Sequence, residues 1–384
     1  PVPASAEAGV PDVSITGSGG GHGVGLSQYG AKALGVDGAN YQQILYRYFP
    51  GTHLATVGNA TVGTFLADDL KPLWVGLQQQ SENLTFTPVG GSADLCFDQP
   101  EVCITASSGE TWRFTLDGTG TCVFLRLPSA EAELVTSAPG SCNASVRPHG
   151  NTTALHIPLK ARSYRSGTLL FRKAPSTGKL QTVYRIAVED YVRGLSEVPE
   201  SWPMAAIQAQ AVASRSVAVW TVLTRGRAEQ FDIEQKDDCF CNLRDDASDQ
   251  VFRGSTGESS HPRWVEAVET TGQQVLVYQN RPALGLYSSS SGGRTEEYSD
   301  VFGGDTHSYL TSVNDSAAFS DSAANPHAHW AAGYDQERIA EAFGLAWLVD
   351  AAVVERNESG SARTLRLTGI VAGRPAERLV TAVE

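Results

Sequence analysis

One carboxyl and one guanidinium stand where acid–base chemistry could be built. Glu197 lies in the stretch Asp190–Tyr191–Val192–Arg193–Gly194–Leu195–Ser196–Glu197–Val198–Pro199, ahead of an alanine-rich run from Met204 to about Leu223. That run has no Gly and no internal Pro and is small or apolar on nearly every side, which predicts a buried helix. Pro203 suits its first turn, where a missing N–H costs nothing. Glu197 therefore sits near the positive end of a buried helix, and Gln208 and Arg215, seven residues apart, share one of its faces. The plainer role of such an acid is to complement the helix dipole, worth about 0.3–1 kcal/mol.

Two other stretches carry functional residue types. The run Gly17–Gly30 (GSGGGHGVGLSQYG) brings His22 and Gln28 on a backbone that must bend sharply or approach something closely. It is not a phosphate cradle. From Gly25 the spacing is G-x-x-x-x-G-A-K, so Ala31 displaces the lysine, and G-x-G-x-x-G occurs in no register. The quartet Ser288–Ser291, followed by Gly292 and Gly293, has neither G-x-S-x-G nor S-x-x-K around it. Its hydroxyls are expected to satisfy a turn or to bind a ligand. H-E-x-x-H is absent, and His327 and His329 beside Asn325–Pro326 read as a surface loop. Trp202 and Trp264 read as core.

The elements that must position these groups are mixed. Helices are expected at Ser27–Leu34, Tyr41–Tyr48, within His261–Thr271 and at Gln336–Phe343. Short runs of Thr, Val, Gly and Ser between turn residues make 54–190 an antiparallel β region, and the C-terminal part returns to β. The fold class is α+β. A net charge of −13 argues against a nucleic-acid partner or an anionic membrane surface, and no apolar run is long enough to span a membrane. Six cysteines at short spacings (Cys96 with Cys103, Cys122 with Cys142, Cys239 with Cys241) suggest disulfides and export. The start at Pro1 reads as the trimmed end of an exported chain. Cys239-x-Cys241 could alternatively hold a metal.

Several blocks resemble the SpoIID/LytB family: VEDYVRGLSEVPESWPMAAIQAQAVASRS, YSSSSGGRTEEYSDVFGG, GGGHGVGLSQYGAKALG…YQQILYRYFPGT, and the phrase NPHAHW…AEAFGL. In that family the Gly-His-Gly block normally follows the Ser-Gly-Gly block; here it comes first, as in a circular permutation whose first 52 residues fold back against the helical block. The resemblance implies a SpoIID-like core with a central buried helix, divided as 1–53 (permuted core segment), 54–160 (inserted β-rich segment) and 161–384 (core). It implies a peptidoglycan lytic transglycosylase cleaving MurNAc–GlcNAc bonds in glycan strands, with Glu197 and Arg215 catalytic. His22, Gln28, Gln210, Ser290, Ser291 and Gly292 would bind substrate. A non-catalytic enhancer of a cell-wall amidase is the alternative. Val198 replaces the family's usual Met, and Gln208 stands where many members have Lys. No cofactor is expected; zinc at Cys239 and Cys241, which at least one branch binds in this region, is the alternative to a disulfide. The setting is the cell wall, outside the cell.

Overall fold

The structure, a computed structural model, describes residues 13–60, 66, 69–98, 101–117, 120–129, 131–135, 142–225, 239–304 and 306–382. The architecture is α+β. The chain divides into two compact units, one made of Pro1–Gly51 with Leu286–Glu384 and the other of Thr52–Gly285. On either side of residue 160, Ala154–Ile157 and Arg162–Arg165 pair with each other in one sheet.

The second unit opens on a β-sandwich. One sheet has seven strands, in the order Leu243–Arg244, Leu73–Ser81, Leu180–Ile186, Thr168–Lys173, Ala144–Pro148, Ala93–Asp98 and Glu101–Ala106. The other has six, centred on Thr111–Leu116 and Asn83–Val89. Alternation points Phe97 and Phe171 of the first sheet to one side, where they meet Phe86, Phe114 and Phe124 of the second. Phe114 stacks on Phe171 at 4.2 Å, and all five rings are buried. Such rings supply much of the apolar area a small sandwich needs. Disulfides join Cys96 to Cys103 and Cys122 to Cys142 within this region.

The long helix Met204–Arg225 follows, apolar all round as its sequence requires, with residues 209–219 all buried. It packs on the helix Pro262–Thr270 and the strand Gln274–Tyr278. Gly285 lies so close to it that a Cβ there would stand 2.6 Å from the Ala213 carbonyl oxygen. No helix among the described residues is long and apolar enough to cross a membrane.

In the first unit, Ser27 caps the helix Gln28–Val36, and Asn40 and Gln43 form a reciprocal capping box on Tyr41–Tyr48. Val13–Gly17 pairs with Trp330–Tyr334, and Leu26–Ser27 lies parallel to Tyr287–Ser288. A three-stranded meander, Trp347–Arg356, Ala362–Val371 and Arg374–Thr381, completes it.

Candidate functional site

Glu197 occupies the turn between the short helix Val188–Arg193 and the long helix, and is half-buried. The turn is pinned from both ends. Arg253 N–H donates to the Gly194 carbonyl at 2.7 Å. Glu200 accepts the N–H groups of Arg263 and Trp264 at 2.9 and 3.0 Å, so it caps the helix Pro262–Thr270 while holding the turn against it. Arg263 returns a hydrogen bond to the Trp202 carbonyl at 2.8 Å. Ser196, the residue before the acid, has φ +54°, a left-handed conformation that costs a non-glycine residue about 1 kcal/mol or more. Its hydroxyl is buried and has no hydrogen-bond partner among the described residues. Strain and an unsatisfied hydroxyl next to a single carboxyl are features that cluster at working sites.

Arg215 does not serve Glu197. Its fully buried guanidinium donates from Nε and Nη2 to the two carboxylate oxygens of Glu189, at 2.8 and 3.0 Å. Nη2 also reaches the Val268 carbonyl and Nη1 the Gln274 carbonyl, both at 3.1 Å. In this geometry its nitrogens tie the short helix, the end of Pro262–Thr270 and the strand Gln274–Tyr278 to the long helix, a structural role beside the catalytic one expected for Arg215. Gln210 is buried and donates to Ser214 at 3.1 Å. Gln208 donates to Thr270 at 3.0 Å, on the same neighbouring helix that Arg215 touches, as a shared face requires.

The other expected residues belong to the first unit, where the two glycine-rich blocks interleave. Gly20 and Ser290 exchange both backbone hydrogen bonds, at 2.8 and 3.1 Å, and Tyr29 N–H donates to the Ser289 carbonyl at 3.0 Å. Gly19 (φ +92°) and Gly292 (φ +79°) lie back to back, and a Cβ on either would come within 3.0 Å of the other segment's backbone. At Gly25 a Cβ would stand 2.2 Å from the Leu286 carbonyl oxygen. These glycines are present because two backbones touch.

Within that weave, His22 Nδ1 accepts the Val24 N–H at 3.0 Å, which leaves the proton of the neutral ring on Nε2. Burial pulls its pKa below the ordinary histidine value, opposed by a hydrogen bond to the Tyr287 backbone. Ser290 accepts from the Asn325 amide at 3.0 Å, and Ser291 donates to Asp315 at 2.6 Å. Gln28 opens its helix, half-buried. So the structure brings His22, Gln28, Ser290, Ser291 and Gly292 together in one unit, and places Glu197, Gln210 and Arg215 in the other.

Asp315 had no signal in the sequence, and Ser288 and Trp330 were marked there only as members of their blocks. Asp315 is fully buried and receives Tyr48 Oη at 2.5 Å as well as Ser291, and burial raises its pKa. Ser288 has a buried hydroxyl with no partner among the described residues. Trp330 is 41 % exposed, yet its indole N–H donates to the Gly19 carbonyl at 3.0 Å and its ring covers Gly17, where a Cβ would stand 2.4 Å away. Together with Thr16, Ser18 and His329 it lines a cleft of about 530 Å³. Trp202 and Trp264 are core, the latter donating to the Val192 carbonyl at 2.8 Å.

Cys239 and Cys241 are bonded to each other, and a bonded pair offers no thiolate to a metal. The acidic loop before them, residues 231–238, lies outside the described residues.

Residues 176–278 match the family model SpoIID, described as stage II sporulation protein. An uncharacterized protein of Brachyspira hyodysenteriae is 30 % identical over 139 residues, 36 % of this chain and 34 % of that protein. An amidase enhancer of Bacillus subtilis is 54 % identical over 43 residues, 11 % of this chain and 6 % of that protein. The stage II sporulation protein D of Bacillus subtilis is 29 % identical over 137 residues, 35 % of this chain and 40 % of that protein. The chain thus spans no more than about two fifths of the length of these relatives. No solved structure matches it.

Proposed function

We propose that this chain, whose residues 176–278 match the SpoIID family model, is an exported peptidoglycan lytic transglycosylase with Glu197 as its single acid and base. The family and its named relatives support a role at the cell wall. The observation that carries the finer reading is the pinned, strained turn that presents one carboxyl, Glu197, at the mouth of the long helix.

In this reading the Glu197 carboxylic acid protonates the glycosidic oxygen as the C1–O bond breaks. Its carboxylate then takes the proton of the C6 hydroxyl as that oxygen closes on C1, giving a 1,6-anhydro ring and restoring the acid. No water enters, so no second carboxylate is needed to activate one. Neutral His22, the Ser290 and Ser291 hydroxyls and the Gln28 amide suit sugar hydroxyls, and Trp330 offers a fixed apolar face for a sugar ring. Three disulfides fit an oxidising compartment outside the cell.

A second reading, a non-catalytic enhancer of a cell-wall amidase, is favoured by the diversion of Arg215 to Glu189, which leaves that cation to the fold. Mixing the protein with an amidase and intact wall separates the two. The enhancer reading predicts that the wild type and Glu197→Gln stimulate peptide release equally. The transglycosylase reading predicts stimulation, if any, only from the wild type, through the ends it creates.

A further inference from the structure

The seven-stranded sheet has a second face, opposite the phenylalanine layer, and it is basic. Trp74, Arg185, Arg172 and Arg147 alternate onto it from four neighbouring strands. With Lys71 and Asp98 they line a cleft of about 340 Å³. The guanidinium carbons of Arg172 and Arg185 stand 5.8 and 5.9 Å from the centre of the Trp74 ring, a cation–π arrangement that orients both planar forks. Asp98 faces Arg172 at 3.3 Å and Arg147 at 4.0 Å, Asp69 takes Arg185 at 3.2 Å, and Glu101 takes Arg147 at 2.6 Å.

Lys71 has no carboxylate within ion-pair distance among the described residues. It also lines an adjoining polar cleft of about 540 Å³, with Arg165, Arg193, Asp190 and Glu258. There the Arg193 Nε–H is buried and has no hydrogen-bond partner among the described residues. Two adjoining clefts therefore share the Lys71 ammonium, which lies near enough to Asp190 to act on its carboxyl without a direct ion pair, and each holds guanidinium donors. Each of these guanidiniums already has a carboxylate partner, so what the clefts add for an incoming anion is the Lys71 ammonium and the buried Arg193 Nε–H, which has no hydrogen-bond partner among the described residues.

We propose that these clefts bind an anionic polymer, seating an acidic group at Lys71 between the Arg172–Trp74–Arg185 stack and Arg193. Carboxylate and phosphodiester oxygens fit the same guanidinium forks, so both belong to the ligand class. This assigns a binding role to the β-sandwich, and it does not depend on the chemistry of Glu197.

The test is calorimetric titration of the full chain with three probes: oligogalacturonate, a glycerol-phosphate oligomer and uncharged chitohexaose. One or both anionic probes should bind, more weakly as salt is raised, and Lys71→Glu should weaken that binding at least tenfold with chitohexaose unaffected. Binding of only one anionic probe identifies the acid. If Lys71→Glu misfolds, Lys71→Gln carries the test, with a smaller loss expected. The proposal is overturned if neither anionic probe binds, or if binding is the same in the wild type and the Lys71 variants. Loss of chitohexaose binding in the wild type would count against the glycan reading above and leave this one standing.

Discussion

Arg215 grips Glu189 with two parallel hydrogen bonds, 2.8 and 3.0 Å long, from a side chain with no solvent exposure. Glu189 also accepts the backbone N–H of Gln273 at 3.1 Å, so the pair closes a junction of four elements around the long helix.

Arg215 is therefore expected to act on stability before it acts on turnover. Arg215→Ala removes a buried cation and leaves Glu189 and two carbonyls without their donor, a loss of about 3–5 kcal/mol. Arg215→Lys cannot reproduce the planar fork and should also lower the melting temperature. Thermal unfolding followed by circular dichroism checks both against Glu197→Gln, which should unfold close to the wild type. A stable Arg215→Lys protein without activity would return Arg215 to a catalytic role.

His22 links the Gly-rich weave to pH. Its folded pKa lies below the unfolded value because burial disfavours the cation, and protonating Nδ1 would also cost the Val24 hydrogen bond. The sign follows: its contribution to stability is present above the unfolded histidine pKa of about 6.5 and is lost as pH falls through the lower folded value. Denaturant titrations from neutral to mildly acidic pH should show this loss in the wild type. In His22→Gln the slope over that window should be smaller. Equal slopes would remove His22 as the cause.

Asp315 joins the Tyr41–Tyr48 helix to the Ser-Gly loop through Tyr48 and Ser291. Asp315→Asn keeps the shape but has one acceptor oxygen where two are used, so about 1–3 kcal/mol of stability should go. Tyr48→Phe should cost less by itself, and little more in an Asp315→Ala background, because both changes remove the Tyr48–Asp315 bond. A double-mutant cycle in urea measures this; full additivity would contradict a shared bond.

The sequence was most legible where one local rule settled the matter. The all-round apolar run 204–223 could only be a buried helix, and the Tyr41–Tyr48 helix was expected within its observed bounds. The glycine blocks were legible as close backbone approaches because special backbone geometry needs particular residues. Partner choice was not. Gln208 and Arg215 were placed on one face correctly, but nothing in their spacing says that Glu189 on the preceding helix, and not Glu197, supplies the carboxylate. Asp315 lies far along the chain from Tyr48, and a buried acid in a polar loop has no periodicity to announce it. The β region could be recognised strand by strand, whereas the gathering of Arg147, Arg172 and Arg185 on one face depends on strand order, which alternation does not encode.

The central claim concerns Glu197, and mass spectrometry of glycan strands stripped of stem peptides tests it most directly. Incubation with the wild type should release products ending in 1,6-anhydromuramic acid, and Glu197→Gln should lower their rate by about 10²–10⁴-fold with strand binding retained. Binding by both proteins without any anhydro product from the wild type would contradict the transglycosylase account.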